Sequence, residues 1–439
     1  MAVKAMGDAP ASPRALMTSR RFLPLFITQF LGALNDNLFK NAMVILIVFR
    51  LAPQHGAILA NVAAGVFILP FFLFSAPAGR LADRLEKSRL ITIIKACEIG
   101  FMLLGSVGLW RGDLWLLFGV LFLMGLHSSF FGPLKYSILP VHLRARELIA
   151  GNALVEAGTF LAILLGTIAG GLLVLGEHGM IWMSVGLVAA AAVGYGASRF
   201  IPPAPPSAPG LALDLNIARD GWRLVRDTAR DRAVFVPVLG LSLFWMVGAT
   251  YLSQLPALTR DVIGGDQQVV TLFLTAFSVG IAAGSLLCSR LLAGEVTLRL
   301  VPWAGLGMAL FTIDLYFACR ALPRPGPALM DLAGFLAAPA DWRVLADLLL
   351  VAISGGVYTV PIYAALQVRA RADERSRVIA SSNILSALFM VAGAGATVAL
   401  LAAGLDVPGV LLVLGIANLM AALGTLGSMR RNDKPVRLG

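Results

Sequence analysis

Apolar residues run along this chain in twelve stretches, each ended by charged or Pro/Gly-rich sequence. They cover approximately 22–50, 57–79, 90–110, 114–139, 148–175, 180–201, 233–258, 269–292, 298–319, 345–368, 378–402 and 408–429. Runs of about 20 apolar residues, at roughly 1.5 Å per helical residue, cross a hydrocarbon core of about 30 Å. The pattern therefore predicts an all-α membrane protein with twelve transmembrane helices. The sixth and seventh stretches are separated by a break from Pro202 to Arg232. It opens with a proline-rich run and continues with Ile217, Trp222, Leu224, Val225 and Ala229 alternating with Arg219, Arg223, Arg226 and Arg230. That alternation predicts a helix lying on the membrane surface.

The first stretch is polar in its middle. Gln29, Gly32, Asp36 and Lys40 follow i, i+3, i+4 spacing and form one stripe, flanked by Asn35, Asn37 and Asn41. An ionised Asp at the centre of a spanning helix costs about 2.5–3.5 kcal/mol on an insertion scale, so the stripe is expected to face a cavity or a partner helix. The functional reading makes Asp36, with Asn35, Asn37 and Lys40, a substrate or ion site. The structural alternative is an Asp36–Lys40 pair that neutralises itself.

Composition supports a membrane protein: of 439 residues, 58% are hydrophobic and only 13% charged. The net charge of +11 could suggest nucleic acid, but most of the 35 Lys and Arg lie in the N-terminus, the even-numbered loops and the C-terminal tail. This is the positive-inside distribution, and it puts both termini in the cytoplasm. The expected organisation is a cytoplasmic N-terminus (1–21), a six-helix half (22–201), a cytoplasmic linker with an amphipathic helix (202–232), a second six-helix half (233–429) and a cytoplasmic tail (430–439). Ser19-Arg20-Arg21 precedes a run too long and too polar for a cleavable signal. Cys97, Cys288 and Cys319 lack metal or redox spacing and read as core thiols.

A faint internal repeat agrees with the two halves. Pro133 and Asn152 are echoed by Pro361 and Asn383, so that Lys135 corresponds to Tyr363 and Glu156 to Ala387. Between the second and third stretches lies Gly79-Arg80-Leu81-Ala82-Asp83-Arg84, followed by a basic cluster. Gly79 permits close helix approach, while Asp83 can cap a helix end or pair with an Arg of a neighbouring span. Gly79, Asp83 and Arg84 are thus candidates for a conformational latch. This segment resembles the cytoplasmic loop of the major facilitator superfamily, and parallel six-helix repeats describe the same transporters.

Further charges fall inside the apolar stretches. Lys95 and Glu98 are i, i+3 neighbours and read as a self-neutralising pair, and His127 as a hydrogen-bonded core histidine. Lys135 and Glu156 lie on adjacent helices near the cytoplasmic end and could form a gate that is made in one conformer and broken in another. Asp314 reads as a coupling-ion ligand or a surface-facing residue. Gly166 and Gly170, four apart in the fifth stretch, allow close helix packing. The loop from Arg320 to Arg343 carries Leu329, Met330, Phe335 and Trp342 and reads as a platform for an amphiphile or a Pro-rich loop.

The stretches 29–37, 133–139, 151–157 with 162–166, and 242–245 are similar to those of the lysophospholipid transporter family of the major facilitator superfamily. The resemblance implies an inner-membrane flippase of bacteria that brings lysophospholipid inward for reacylation by a separate acyltransferase. It also implies that Asp36, Lys135 and Glu156 stand at that family's polar positions. A phosphoethanolamine headgroup offers an ammonium for Asp36 or Glu156 and a phosphate for a Lys. The chain departs from the family at Tyr251, where an Arg can stand, and near Ser386, where an acid can stand. The expectation is an alternating-access transporter of a lysophosphatidylethanolamine-like cargo, with membrane lipid around it, no cofactor, no metal and no nucleic acid, and an unassigned coupling cation. The alternative is an exporter of a small amphiphilic solute by cation antiport. An enzyme is not expected: the chain has no His-x4-Asp acyltransferase motif and no Gly-x4-Gly-Lys phosphate loop.

Overall fold

The computed structural model describes residues 13–432, except positions 215, 324, 325 and 327. The sequence-based expectations for residues 1–12 and 433–439, and for Pro325 and Pro327, lie outside the described residues.

Among the described residues twelve helices are long and apolar enough to cross a membrane. They are built on α1 (Leu23–Leu46), α2 (Gly56–Arg84), α3 (Lys87–Arg111), α4 (Leu114–Ser137), α5 (Leu148–Leu173), α6 (Gly179–Ser198), α7 (Arg232–Ala257), α8 (Gln267–Leu292), α9 (Val301–Ala321), α10 (Trp342–Arg369), α11 (Arg375–Ala402) and α12 (Val407–Asn432). Within the first six, α1 packs on α5 and α6, α2 on α4, and α3 on α4 and α6; within the last six, α8 packs on α10, α9 on α10 and α12, and α7 on α11. The two halves meet through α2 with α11 and α5 with α8, supplemented by α4 with α11 and α5 with α10.

Small residues set how closely the helices approach. A Cβ on Gly166 would come within 2.6 Å of the Leu34 carbonyl oxygen, and one on Gly170 within 2.8 Å of that of Leu38. These glycines therefore let α5 lie directly on the α1 backbone, the packing role their spacing suggests. Gly284 plays the same part between α8 and α10, where a Cβ would lie 2.0 Å from the Ile353 carbonyl oxygen.

The linker helix forms over Ile217–Arg230, with Asn216 capping it through Arg219 N–H. It packs against α2, α7 and α11 at one end of the bundle, called here the linker end. Arg80 of α2 donates to its buried Asp220 at 2.7 Å. Just before the helix, the Arg219 guanidinium bonds Asp214 and holds its carboxyl down to about 2.

Two expectations change here. The segment 79–84 is not a loop: α2 continues to Arg84, because only Leu85 and Glu86 are needed to turn the chain into α3, whose first N–H groups Glu86 accepts. The 320–343 connection is neither bare loop nor free platform. Met330 exchanges backbone hydrogen bonds with Gly264 and Asp266, and Phe335 is buried edge-on against Phe273 at 5.3 Å. Leu329, Leu336 and Trp342 stay exposed beside this anchor.

Candidate functional site

Seen from α1, the polar stripe splits between two environments. Asn35 turns inward, donating to Glu98 Oε1 at 3.1 Å and to the Leu187 carbonyl at 3.1 Å. Glu98 is also ion-paired with Lys95, and His127 Nε2 lies 3.2 Å from it. All four residues are buried. The Lys95–Glu98 pair forms as expected, but Asn35 belongs with it and not with Asp36. One residue of helical rotation, about 100°, separates the two faces.

Asp36 faces the other way. Its Oδ2 accepts from Ser128 of α4 at 2.5 Å, and its Oδ1 is buried with no hydrogen-bond partner. The Asp36–Lys40 pair does not form: Lys40 Nζ donates to Asn37 Oδ1 at 3.2 Å and lies 5.6 Å from the Phe67 ring centroid. A buried carboxylate oxygen left without a partner costs free energy that a ligand or a proton recovers.

Two turns toward the linker end, on the same faces of α1 and α4, lie Gln29 and Lys135. Thr159 of α5 donates to Gln29 at 3.0 Å. Glu156, one turn before Thr159, is fully buried. The expected contact between Lys135 and Glu156 is absent in this conformer. The Tyr136 hydroxyl donates to Glu156 Oε1 instead, leaving Oε2 without a partner, and Lys135 Nζ lies 4.8 Å from the Tyr136 ring centroid. Asp36, Lys40, Lys135 and Glu156 thus descend one wall, all from the first half.

The facing wall is aromatic. Tyr363 of α10 stacks on Tyr136 with centroids 3.9 Å apart and planes within 6°. Trp245 of α7 donates to the Tyr363 hydroxyl at 3.3 Å, and Phe160 lies between Phe244 and Trp245 at 6.3 and 6.2 Å. The two departures noted in the sequence are both bonded within the second half. Tyr251 is fully buried, bonded to Thr312 at 2.7 Å inside the second half, and Ser386 bonds Ser242 at 3.4 Å.

At the linker end the two halves are joined. Asp83 accepts from Ser376 N–H at 3.1 Å and from Arg377 N–H and Nε at 3.3 Å, so it both caps α11 and pairs with its arginine. A Cβ on Gly79 would meet Ala380 Cβ at 2.7 Å. Gln367 exchanges hydrogen bonds with Asn152 at 2.7 and 3.0 Å and donates to the Tyr136 carbonyl at 3.0 Å. Gly79 and Asp83 of α2 thus both meet α11 of the other half, whereas Arg84 is exposed.

Asp314 turns to the surface, paired with Arg343 at 2.5 Å with both side chains about half exposed. The second half holds another acid that sequence reading passed over, Asp347 near the start of α10, buried with an unpartnered Oδ2. Ser128, Tyr136, Trp245 and Tyr363 were also missed. Ser128 stands seven residues before Lys135, on its face. Tyr136 and Tyr363 follow the repeated prolines Pro133 and Pro361 by three and two residues.

Twelve spans in two packed halves, with polar groups inside the first half and hydrogen bonds and an ion pair joining the halves at one end, describe a membrane transporter. The chain belongs to the major facilitator superfamily, whose sequence pattern matches residues 25–394. It is similar to the lysophospholipid transporter LplT of Escherichia coli O157:H7 strain EC4115, 27% identical over 364 residues, covering 80% of this chain and 81% of that one. LplT of Shigella boydii serotype 18 is 26% identical over the same coverage. Solved structures share the fold at low identity. The human organic anion transporter MFSD10 matches with a TM-score of 0.70 and 16% identity over 91% of this chain and 98% of that one. The Escherichia coli fucose:proton symporter FucP matches with 0.66 and 14% over 94% and 98%.

Proposed function

We propose that this transporter carries a lysophospholipid with a zwitterionic headgroup from the outer to the inner leaflet of a bacterial inner membrane, for reacylation by a separate acyltransferase. The observation that carries the reading is the placement of charged groups, all from the first half, beside aromatic rings contributed by both halves. An amphiphile needs both. Its phosphate would meet Lys135 or Lys40, neither of which has a carboxylate partner, and its ammonium would meet the open oxygen of Asp36 or Glu156. The acyl chain would run along Trp245, Phe244 and Phe160. The 80% overlap with LplT supports the same cargo class.

Orientation follows from charge. With the basic linker in the cytoplasm, the closed end is the cytoplasmic one, and this conformer receives cargo from the outer side. Asp83 and Gly79 would hold it shut until cargo is bound, after which the two halves rock. The test is uptake of labelled lysophosphatidylethanolamine from the outer leaflet in cells lacking their own transporter, with an acyltransferase inside to trap the product. Uptake that vanishes in Asp36→Asn supports cargo and site together. No uptake despite membrane expression transfers the reading to export of a small amphiphilic solute, for which membrane vesicles carrying the protein would dissipate an imposed pH gradient when solute is added.

A further inference from the structure

Between the polar site and the closed end lies a connected set of groups that joins the proposed cargo residues to the contacts between the halves. Glu156 sits at its head. It is fully buried, takes the Tyr136 hydroxyl on one oxygen and has no partner on the other. The Tyr136 ring is held on both faces, with Tyr363 of the other half at 3.9 Å and the Lys135 ammonium at 4.8 Å. Tyr363 is steadied by Trp245, and the backbone carbonyl of Tyr136 is tied to Gln367. Tyr136 therefore touches the proposed binding residues through its hydroxyl and the opposite half through its ring and backbone.

We propose that Tyr136 senses occupancy: its hydroxyl on Glu156 keeps its ring stacked on Tyr363 and the linker end closed, and a cationic group of the cargo arriving at Glu156 displaces it. The physical grounds are competition for one anion. A carboxylate gains more from an ammonium than from a neutral phenol, because a charge-assisted hydrogen bond is roughly twice as strong as a neutral one. Once the hydroxyl is released, the ring loses the contact that orients it against Tyr363. A phosphate on Lys135 would draw the ammonium off the opposite ring face at the same time, so a zwitterionic headgroup acts on both sides of the ring. An anionic headgroup lacking the ammonium would reach Lys135 and leave the Tyr136–Glu156 bond in place. Selection for amine-bearing cargo would then lie in the opening step as well as in binding. This rests on the cargo proposed above, though the closing role of Tyr136 stands apart from it.

The experiment reads closure directly. A single cysteine replaces Ser376, which is buried against Asp83 and Ser137 at the closed end, in a chain whose Cys97, Cys288 and Cys319 are serine. Labelling by an impermeant maleimide is followed from the cytoplasmic side of vesicles, with lysophosphatidylethanolamine or lysophosphatidylglycerol present. Three backgrounds are compared: otherwise unchanged, Tyr136→Phe, which keeps the ring and loses the hydroxyl, and Tyr316→Phe, which loses a phenol hydroxyl on α9 beside Arg320, outside the site. A hydrogen bond to a charged group changes a population by roughly tenfold or more. The expected result is labelling that rises about that much with the ethanolamine lipid only, is high without lipid in Tyr136→Phe, and is unaltered by Tyr316→Phe. Tyr136→Phe that stays closed and still responds to lipid overturns the proposal. If no lysophospholipid changes labelling but Tyr136→Phe is open, the hydroxyl is the closing contact and the cargo assignment is what fails. Comparable detergent-extracted yield and elution of the three backgrounds establishes that the differences are conformational.

Discussion

Two acids within the spans of the first half, the buried Glu98 and the half-buried Asp36, lie on either side of α1 and differ in how fully they are satisfied. Glu98 has both oxygens partnered, by Asn35 and Lys95, with His127 beside it, a set closed around the carboxylate that fastens α1 to α3 and α4. Asp36 has Ser128 on one oxygen and nothing on the other. Inside a membrane a satisfied acid is mortar between helices, whereas an unsatisfied one is poised for something that arrives. Sequence shows both as intramembrane carboxylates; only their surroundings separate a structural acid from a candidate binding acid.

The largest expected effect comes from unbalancing the closed set. Lys95→Met leaves Glu98 buried without its cation, a change worth about 3–5 kcal/mol, and should lower the melting temperature and the folded yield together. In contrast, Asp36→Asn should leave thermal stability within about 1 kcal/mol, since its oxygen bond to Ser128 survives as a neutral one, and should abolish lysophospholipid uptake. A melting curve beside an uptake assay separates the two, and equal loss of stability in both would erase the distinction.

Lys135 and Glu156 sharpen it further. Reversing either charge alone should impair transport strongly. Because Tyr136 and not Lys135 occupies Glu156, the double reversal should not restore uptake, and a clear rescue would mean the two pair directly in another conformer. Asp83→Asn should loosen the closed end by about 1.5–3 kcal/mol, the range for a hydrogen bond to a charged group, seen as faster labelling at Ser376→Cys. The smallest effect belongs to Asp314→Asn, whose half-exposed pair with Arg343 is worth about 0–1 kcal/mol. Uptake there should match the unchanged chain.

Much of this molecule could be read before its structure. Apolar run length set the number of spans, since the bilayer imposes a minimum length on any helix that crosses it. The Gly79–Asp83 spacing pointed to a contact between the halves because its parts are local: a glycine for approach and a carboxylate one turn on. The carboxylate and ammonium groups of the central site stood out because charge is rare in hydrocarbon.

Partners were a different matter. That Asn35 leaves Asp36 for Glu98, that Tyr136 takes the place of Lys135, and that Tyr251 is buried within the second half all depend on which way helices turn once packed. The apolar pattern is too uniform around these helices to set that rotation. In a soluble helix a polar face marks the outside; here the lipid-facing and core-facing residues are both apolar. Sequence by itself determined how many helices there are, how long they are and where their charges lie. The tertiary structure alone decided which charges meet, because that choice is made by close contacts between residues as far apart as Asp83 and Ser376, fixed only when both halves are assembled.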